Sequence, residues 1–138
     1  MTKNVLVLCT GNSCRSIIGE CLINHLGRGQ FKAVSAGSSP TGYVHPKALE
    51  TLANHGVDIG TPLSQSWDEY TKVKFDYIIT VCDNAANESC PVFIGDFAKL
   101  HWSTPDPAAC QGSESEINQA FEDAYQMLKS RIEAELLQ

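Results

Sequence analysis

Short apolar runs alternate along this chain with longer stretches whose apolar residues recur at helical spacing, and turns rich in Gly, Ser, Asn and Pro separate them. Residues 4–8 (NVLVL) are β-branched and too short for a helix, which predicts a buried strand. Residues 16–26 place Ile18, Leu22 and Leu26 on one face with Cys21 beside them, a helix that Gly27 and Gly29 close. Residues 31–36 (FKAVSA) predict a second strand, ended by the turn Gly37-Ser38-Ser39-Pro40. Pro46 suits a first helical position, and Ala48, Leu49, Leu52 and Ala53 keep the spacing as far as Gly56. A shorter helix is expected over 67–73, a third buried strand over 76–81 (DYIITV) and a fourth over 98–102, broken by Pro105 and Pro107. The last segment opens on Ser113-Glu114-Ser115-Glu116, the pattern of a capping box. Ile117, Phe121, Ala124, Leu128, Ile132 and Leu136 then run down one helical face.

Strands alternating with helices predict an α/β fold, a single-domain four-stranded parallel sheet flanked by helices over residues 1–138, because parallel neighbours need a crossover. Ligands of such sheets bind at the carboxyl ends of the strands. The pattern gathers Cys9, Ser35, Cys82 and Asp106 at that rim, so residues distant in sequence converge on one place.

Composition narrows the function classes. With 43% hydrophobic and 19% charged residues, the chain is neither a disordered tail nor a membrane protein. Its longest apolar stretch, residues 5–9, is far below a membrane span, and no export signal is recognisable around it. A net charge of -6 with no basic cluster argues against nucleic acid as a partner. A cytoplasmic monomer is expected. Six cysteines without an export signal read as reduced thiols, where catalysis or metal binding is commoner than a structural bridge.

Cys9-Thr10-Gly11-Asn12-Ser13-Cys14-Arg15-Ser16 joins the first strand to the first helix. Small, turn-competent residues let successive backbone N–H groups curl into an anion-binding concavity, and the helix start adds its positive end. Arg15, six residues after Cys9, can return to the same anion and donate two parallel hydrogen bonds. A thiol of ordinary pKa, about 8.5, is little ionised at neutrality, and such surroundings are expected to lower it. The oxyanion-binding set is therefore Thr10, Gly11, Asn12, Ser13, Cys14, Arg15 and Ser16, with the Cys9 thiolate aimed at the central atom of a tetrahedral guest. Asp106, held between Pro105 and Pro107 beyond the fourth strand, is the candidate acid that protonates the departing oxygen.

This loop resembles the phosphate loop of the low-molecular-weight protein tyrosine phosphatases. The wording CTGNSCRS at 9–16, followed by VSAG at 34–37, is most similar to arsenate reductases built on that phosphatase fold (phosphotyrosine phosphatase I-like), and the likeness spans essentially the whole chain. It implies that Cys9 is the nucleophile, Arg15 the loop arginine, Ser16 a support for the thiolate and Asp106 the general acid. In the phosphatases an aromatic residue usually follows the Asp-Pro pair, whereas Ala108 follows here.

Cys82 and Cys90 bracket a polar segment whose spacing fits no familiar zinc motif. A phosphatase has no use for two such thiols. Reduction of pentavalent arsenic needs two electrons, which a dithiol supplies on becoming a disulfide. The resemblance implies that Cys82 and Cys90 are this pair, with an external thiol reductant, thioredoxin or glutathione with glutaredoxin, and no bound cofactor. Positions matching Asn12, Glu20 and Ser35 form a structural potassium site in some relatives. The fourth ligand there is a carboxylate, this chain offers Ser64 or Gln65 instead, and no metal is expected.

Arsenate or phosphate is thus the expected oxyanion. The alternatives are a phosphotyrosine phosphatase using only Cys9, Arg15 and Asp106, and a non-enzymatic oxyanion or thiol sensor. Cys21 is read as core, Cys110 as a spectator, the four histidines as surface or wall residues, and Trp102 as packing.

Overall fold

Lys3–Cys9 (β1), Phe31–Gly37 (β2), Tyr77–Thr80 (β3) and Ala98–His101 (β4) form one sheet in the order β2-β1-β3-β4, every neighbouring pair parallel. The structure, a computed structural model, describes residues 2–82, 93 and 95–137. Among the described residues three helices accompany the sheet: Arg15–Leu26 (α1), Pro46–Asn54 (α2) and Glu114–Glu135 (α3). β1 is central, and its Val5, Leu6, Val7 and Leu8 are fully buried, because both faces of a parallel sheet are covered. Val5, Val7 and Ile79 join the helices in one core, while Leu6, Leu8 and Ile78 pack with Ala36, Trp67, Phe75 and Phe93 on the opposite face.

The elements follow the sequence pattern with instructive departures. α1 is not simply amphipathic: Ile17, Ile18, Leu22 and Ile23 are all fully buried, because the helix packs against β1, β2, α2 and α3. The helix expected over 67–73 shrinks to one 3-10 turn, Trp67–Tyr70. Only Trp67 of that turn is buried, and the exposed Lys72, Val73 and Lys74 offer no further apolar stripe to carry a helix. The capping box forms as expected: the Ser113 hydroxyl accepts from the Glu116 N–H at 3.2 Å, and the Glu116 carboxylate accepts from the Ser113 N–H at 3.3 Å. Asn24 on α1 pins β2 by bonding both the N–H and the carbonyl of Ala33, at 2.8 and 3.0 Å. Among the described residues no helix is long and apolar enough to cross a membrane.

The in-register pairs Cys9 with Gly37 and Leu8 with Thr80 set the ends of three strands level. Cys9, Gly37 and the segment Val81-Cys82 therefore meet at one rim, where the chain between β1 and α1 forms its loop.

Candidate active site

The loop from Thr10 to Cys14 is defined by where its carbonyls go. The Thr10 carbonyl accepts from the Ser39 N–H at 2.9 Å, and that of Gly11 from the Thr41 N–H at 3.0 Å. The Ser64 hydroxyl adds a second donor to Gly11 at 3.2 Å. The Ser13 carbonyl accepts from the His45 N–H at 3.1 Å, and Cys14 begins the helical ladder by accepting from the Ile18 N–H at 2.9 Å. In a trans peptide the N–H points opposite to the preceding carbonyl. Four carbonyls anchored outward thus turn the N–H groups of Gly11, Asn12, Cys14 and Arg15 toward the concave side. That is an anion nest at the start of a helix whose first turn carries no acid.

Asn12 makes the bend possible. Its φ of 47° is the one positive value on a non-glycine residue among those described, and Asn tolerates this left-handed region better than most residues. Gly37 makes the close approach possible. A Cβ there would lie 2.5 Å from the Thr10 carbonyl oxygen and 2.6 Å from that of Cys9, both backbone atoms with nowhere to go.

Two sulfurs share the floor. Cys9 and Cys82 are buried, at 4% and 2% exposure, and their thiols are in hydrogen-bonding contact. The Thr10 N–H also donates to the Cys82 sulfur at 3.2 Å, with the Thr10 hydroxyl 3.5 Å from it. The expectation of a lowered Cys9 pKa needs correction here. The hydrogen bond with Cys82 and then burial hold the Cys9 thiol well above its ordinary range, against the opposing pull of Arg15 and the Gly11 N–H. Cys14, also buried, is pushed up to about 11 by burial, with Asp106 adding and Ser13 and Arg15 opposing.

Arg15 ties the loop to the acid. Its guanidinium donates to the Thr104 carbonyl at 2.9 Å and lies 3.8 Å from the Asp106 carboxylate. The other Asp106 oxygen accepts from the Ala108 N–H at 3.0 Å and caps the 3-10 turn Pro107–Ala109. The Asp106 side chain is 42% exposed. A carboxyl group beside the loop arginine and open to solvent can give a proton to an oxygen leaving the nest.

The structure thus brings together Cys9, Thr10, Gly11, Asn12, Arg15, Cys82 and Asp106. Cys90 lies outside the described residues. The Ser16 hydroxyl accepts from the Asn12 side chain at 2.8 Å, so its contribution runs through the loop's shape. The Ser13 hydroxyl accepts weakly from the Cys14 thiol at 4.0 Å. Cys21 and Trp102 are core, and Cys110 is half-buried at the end of the acid loop. The sequence reading overlooked Ser39, Thr41, His45 and Ser64, which brace the loop. For His45, read from sequence only as a surface or wall residue, the available signal was Pro46, since a proline opening a helix puts the preceding residue at the cap; its Nδ1 accepts from the Lys47 N–H at 3.1 Å.

A buried cysteine and an arginine six residues on, at a strand-to-helix turn of a four-stranded parallel sheet, are the pattern of a class of phosphate-loop enzymes. The chain belongs to the low molecular weight phosphotyrosine protein phosphatase family, whose model matches residues 4–138. Within it, the chain is similar to proteins named arsenate reductase. "Arsenate reductase 2" of Staphylococcus saprophyticus is 34% identical over 89% of this chain and 96% of its own. The arsenate reductase of Bacillus subtilis is 34% identical over 83% of this chain and 81% of its own. A solved arsenate reductase in a phosphate-binding state superposes with a TM-score of 0.80 at 25% identity, covering 96% of this chain and 95% of that one.

Proposed function

We propose that this protein reduces arsenate to arsenite through a relay of cysteines. The observation that carries the reading is the contact between Cys9 and Cys82 on the floor of the oxyanion nest. A hydrolase needs one sulfur there, and a two-electron reductant needs a second within reach of the first.

Arsenate docks on the N–H groups of the loop and the Arg15 guanidinium. A dianionic guest can itself take the proton that Cys82 and burial keep on Cys9. The Cys9 sulfur attacks arsenic, one As–O bond breaks, and its oxygen leaves as water with a proton from Asp106. The Cys82 sulfur then attacks the Cys9 sulfur. The S–As bond breaks with its electron pair staying on arsenic, so arsenic(V) becomes arsenic(III) and leaves as arsenite while a Cys9–Cys82 disulfide forms. Cys90 attacks Cys82 next, freeing Cys9 as thiolate and leaving a Cys82–Cys90 disulfide. An external dithiol protein, thioredoxin or a glutathione and glutaredoxin couple, returns this bond to two thiols. No bound cofactor is required, and a reducing compartment such as the cytoplasm suits a monomer working in this way.

Thr10 serves both halves of the cycle. Its carbonyl anchors the nest through the Ser39 N–H, and its N–H and hydroxyl face the sulfur that must next act as nucleophile.

Cys82→Ser tests the reading. Arsenite production under thioredoxin, or under glutathione and glutaredoxin, is expected to stop at or before one turnover per enzyme, while slow hydrolysis of p-nitrophenyl phosphate, which needs only Cys9, Arg15 and Asp106, continues. Sustained arsenite release from Cys82→Ser would overturn the relay. Equal loss of both activities would mean that Cys82 only props up the loop.

A further inference from the structure

The side chains matching the potassium ligands of some relatives do form a buried cluster behind the oxyanion loop, and the directions of its hydrogen bonds decide whether a cation fits. The Gln65 backbone N–H can only donate, and it donates to Asn12 Oδ1 at 2.8 Å. The Asn12 oxygen is thereby committed, and its Nδ2 faces the hydroxyls of Ser16 and Ser35, at 2.8 and 2.9 Å. Ser35, already accepting, gives its own proton to Glu20 Oε1 at 2.7 Å. The Ser35 carbonyl can only accept, which fixes the Gln65 amide with Nε2 toward it at 3.0 Å and toward the Tyr70 hydroxyl at 2.7 Å. Both amides are thus oriented by backbone partners that cannot reverse.

A potassium ion needs several oxygen lone pairs converging on one point. In this cluster the amide of Asn12 turns its NH2 to the serines while its oxygen accepts from a backbone N–H, and Gln65, a neutral amide whose NH2 bonds the Ser35 carbonyl and Tyr70, stands where some relatives supply a carboxylate. The donor set does not fit a cation. Of the two replacements the sequence left open, Ser64 bonds the Gly11 carbonyl and the Gly42 N–H, so Gln65 is the residue at this place.

We infer that Gln65 is a positioning residue that holds the oxyanion loop in its binding shape without any monovalent cation. It touches no substrate. Its backbone N–H holds Asn12, the left-handed residue on which the inward turn of the neighbouring N–H groups depends, and its side-chain amide, bonded to the Ser35 carbonyl and the Tyr70 hydroxyl, keeps that N–H in place. Its carbonyl also accepts from the Gly37 N–H at 2.9 Å, which fastens the end of β2 beneath the loop. One glutamine thereby joins β2, the loop and the 3-10 turn that carries Tyr70, and the chain of donations Gln65 to Asn12 to Ser35 ends on Glu20 Oε1.

The test uses the reduced full-length protein with inorganic phosphate as the probe, so the result stands whichever oxyanion the enzyme turns over. Phosphate affinity by calorimetry and the thermal midpoint are measured in potassium, sodium and tetramethylammonium chloride at equal ionic strength. The native protein is expected to give the same affinity and midpoint in all three. Gln65→Ala is expected to weaken phosphate binding by about tenfold, equally in every salt, in the range typical of lost supporting contacts around a binding site. Gln65→Asp, which adds a second carboxylate beside Glu20, is expected to bind phosphate more tightly in potassium than in tetramethylammonium, a response that general loss of stability would not produce. Affinity of the native protein rising severalfold with potassium would overturn the inference, as would Gln65→Ala binding phosphate normally or Gln65→Asp remaining indifferent to potassium. If Gln65→Ala does not fold, the salt series on the native protein still decides.

Discussion

In the oxyanion loop, the carbonyls of Thr10, Gly11, Ser13 and Cys14 are each held by a backbone donor, three of them from another segment, and Asn12 is wholly buried. In the acid loop, Asp106 leaves 42% of its side chain in solvent and is steadied by a backbone N–H two residues away and a 3.8 Å approach to Arg15. The difference suits the roles proposed for the two loops. A nest of N–H groups works only if no reorganisation is needed when the anion arrives, so its geometry is fixed by the scaffold beforehand. An acid has to follow an oxygen that moves as its bond lengthens, and a partly exposed carboxyl on a short turn retains that freedom. Flanking prolines limit its backbone without locking the side chain. Arg15 belongs to both regions, bonding the Thr104 carbonyl at the foot of the acid loop and capable of serving the anion.

The sharpest way to separate the two loops is Asp106→Asn. The amide keeps the size and the cap but has no carboxyl proton to give. The rate of the first chemical step is expected to fall by about a hundredfold to a few thousandfold, the usual span for a lost general acid. Phosphate affinity should change little, because the nest does not use Asp106. Stopped-flow formation of the Cys9 adduct, set beside phosphate calorimetry, checks both halves. Loss of affinity as large as the loss of rate would mean that the loops are one unit coupled through Arg15.

Gly37→Ala attacks the other region. The added methyl would press on the carbonyl oxygens of Thr10 and Cys9, and backbone atoms held on their far sides cannot give way cheaply. Destabilisation of about 3 kcal/mol is expected, at the upper end of ordinary overpacking. Urea midpoints measure it. Phosphate affinity should fall with it, while the same measurements on an alanine-neutral site in the acid loop, Ala109→Gly, should leave affinity intact. A Gly37→Ala variant of native stability would show the rim to be soft and remove the contrast.

Much of this contrast was legible in the chain itself. The loop wording from Cys9 to Ser16, the burial of β1 and the capping box at Ser113 are local patterns, and each constrains its own neighbourhood directly. The bracing partners Ser39, Thr41, His45 and Ser64 could not be read in the same way. They act through backbone N–H groups or a single hydroxyl, and what makes them partners is the register of β2 beside β1, which aligns Gly37 with Cys9. The 3-10 turn at Trp67 was overextended to a helix because periodicity registers apolar residues and not whether a surface exists to receive them. The ionisation of Cys9 was misjudged for a related reason: Arg15 and the helix start are visible in sequence, but a second buried sulfur 73 residues away is not. For the same pair, however, the sequence spacing of strand ends did place Cys82 on the correct rim.

Buried thiols give the smallest test. Burial pushes Cys14 from 9.0 up to about 11, and Cys21, with Glu20 and Asp58 adding to the effect, up to about 12. In the unfolded chain these thiols release their protons as pH passes about 9, whereas the folded protein keeps them, so the folded state binds more protons. The contribution of these thiols is therefore expected to be flat below about pH 8 and to decline from pH 9 toward 11, each with a slope of at most about 1.4 kcal/mol per pH unit. Urea midpoints at pH 8 and pH 10 measure the decline. The fall should be smaller in Cys14→Ala, measured relative to that variant's own value at pH 8, because one of the retained protons is then absent. If Cys14→Ala declined as steeply as the native protein, the thiol next to the nest would be ionising freely in the folded state. That outcome would mean the nest is wetter, and its hydrogen bonds less preorganised, than a loop with four of its carbonyls anchored requires.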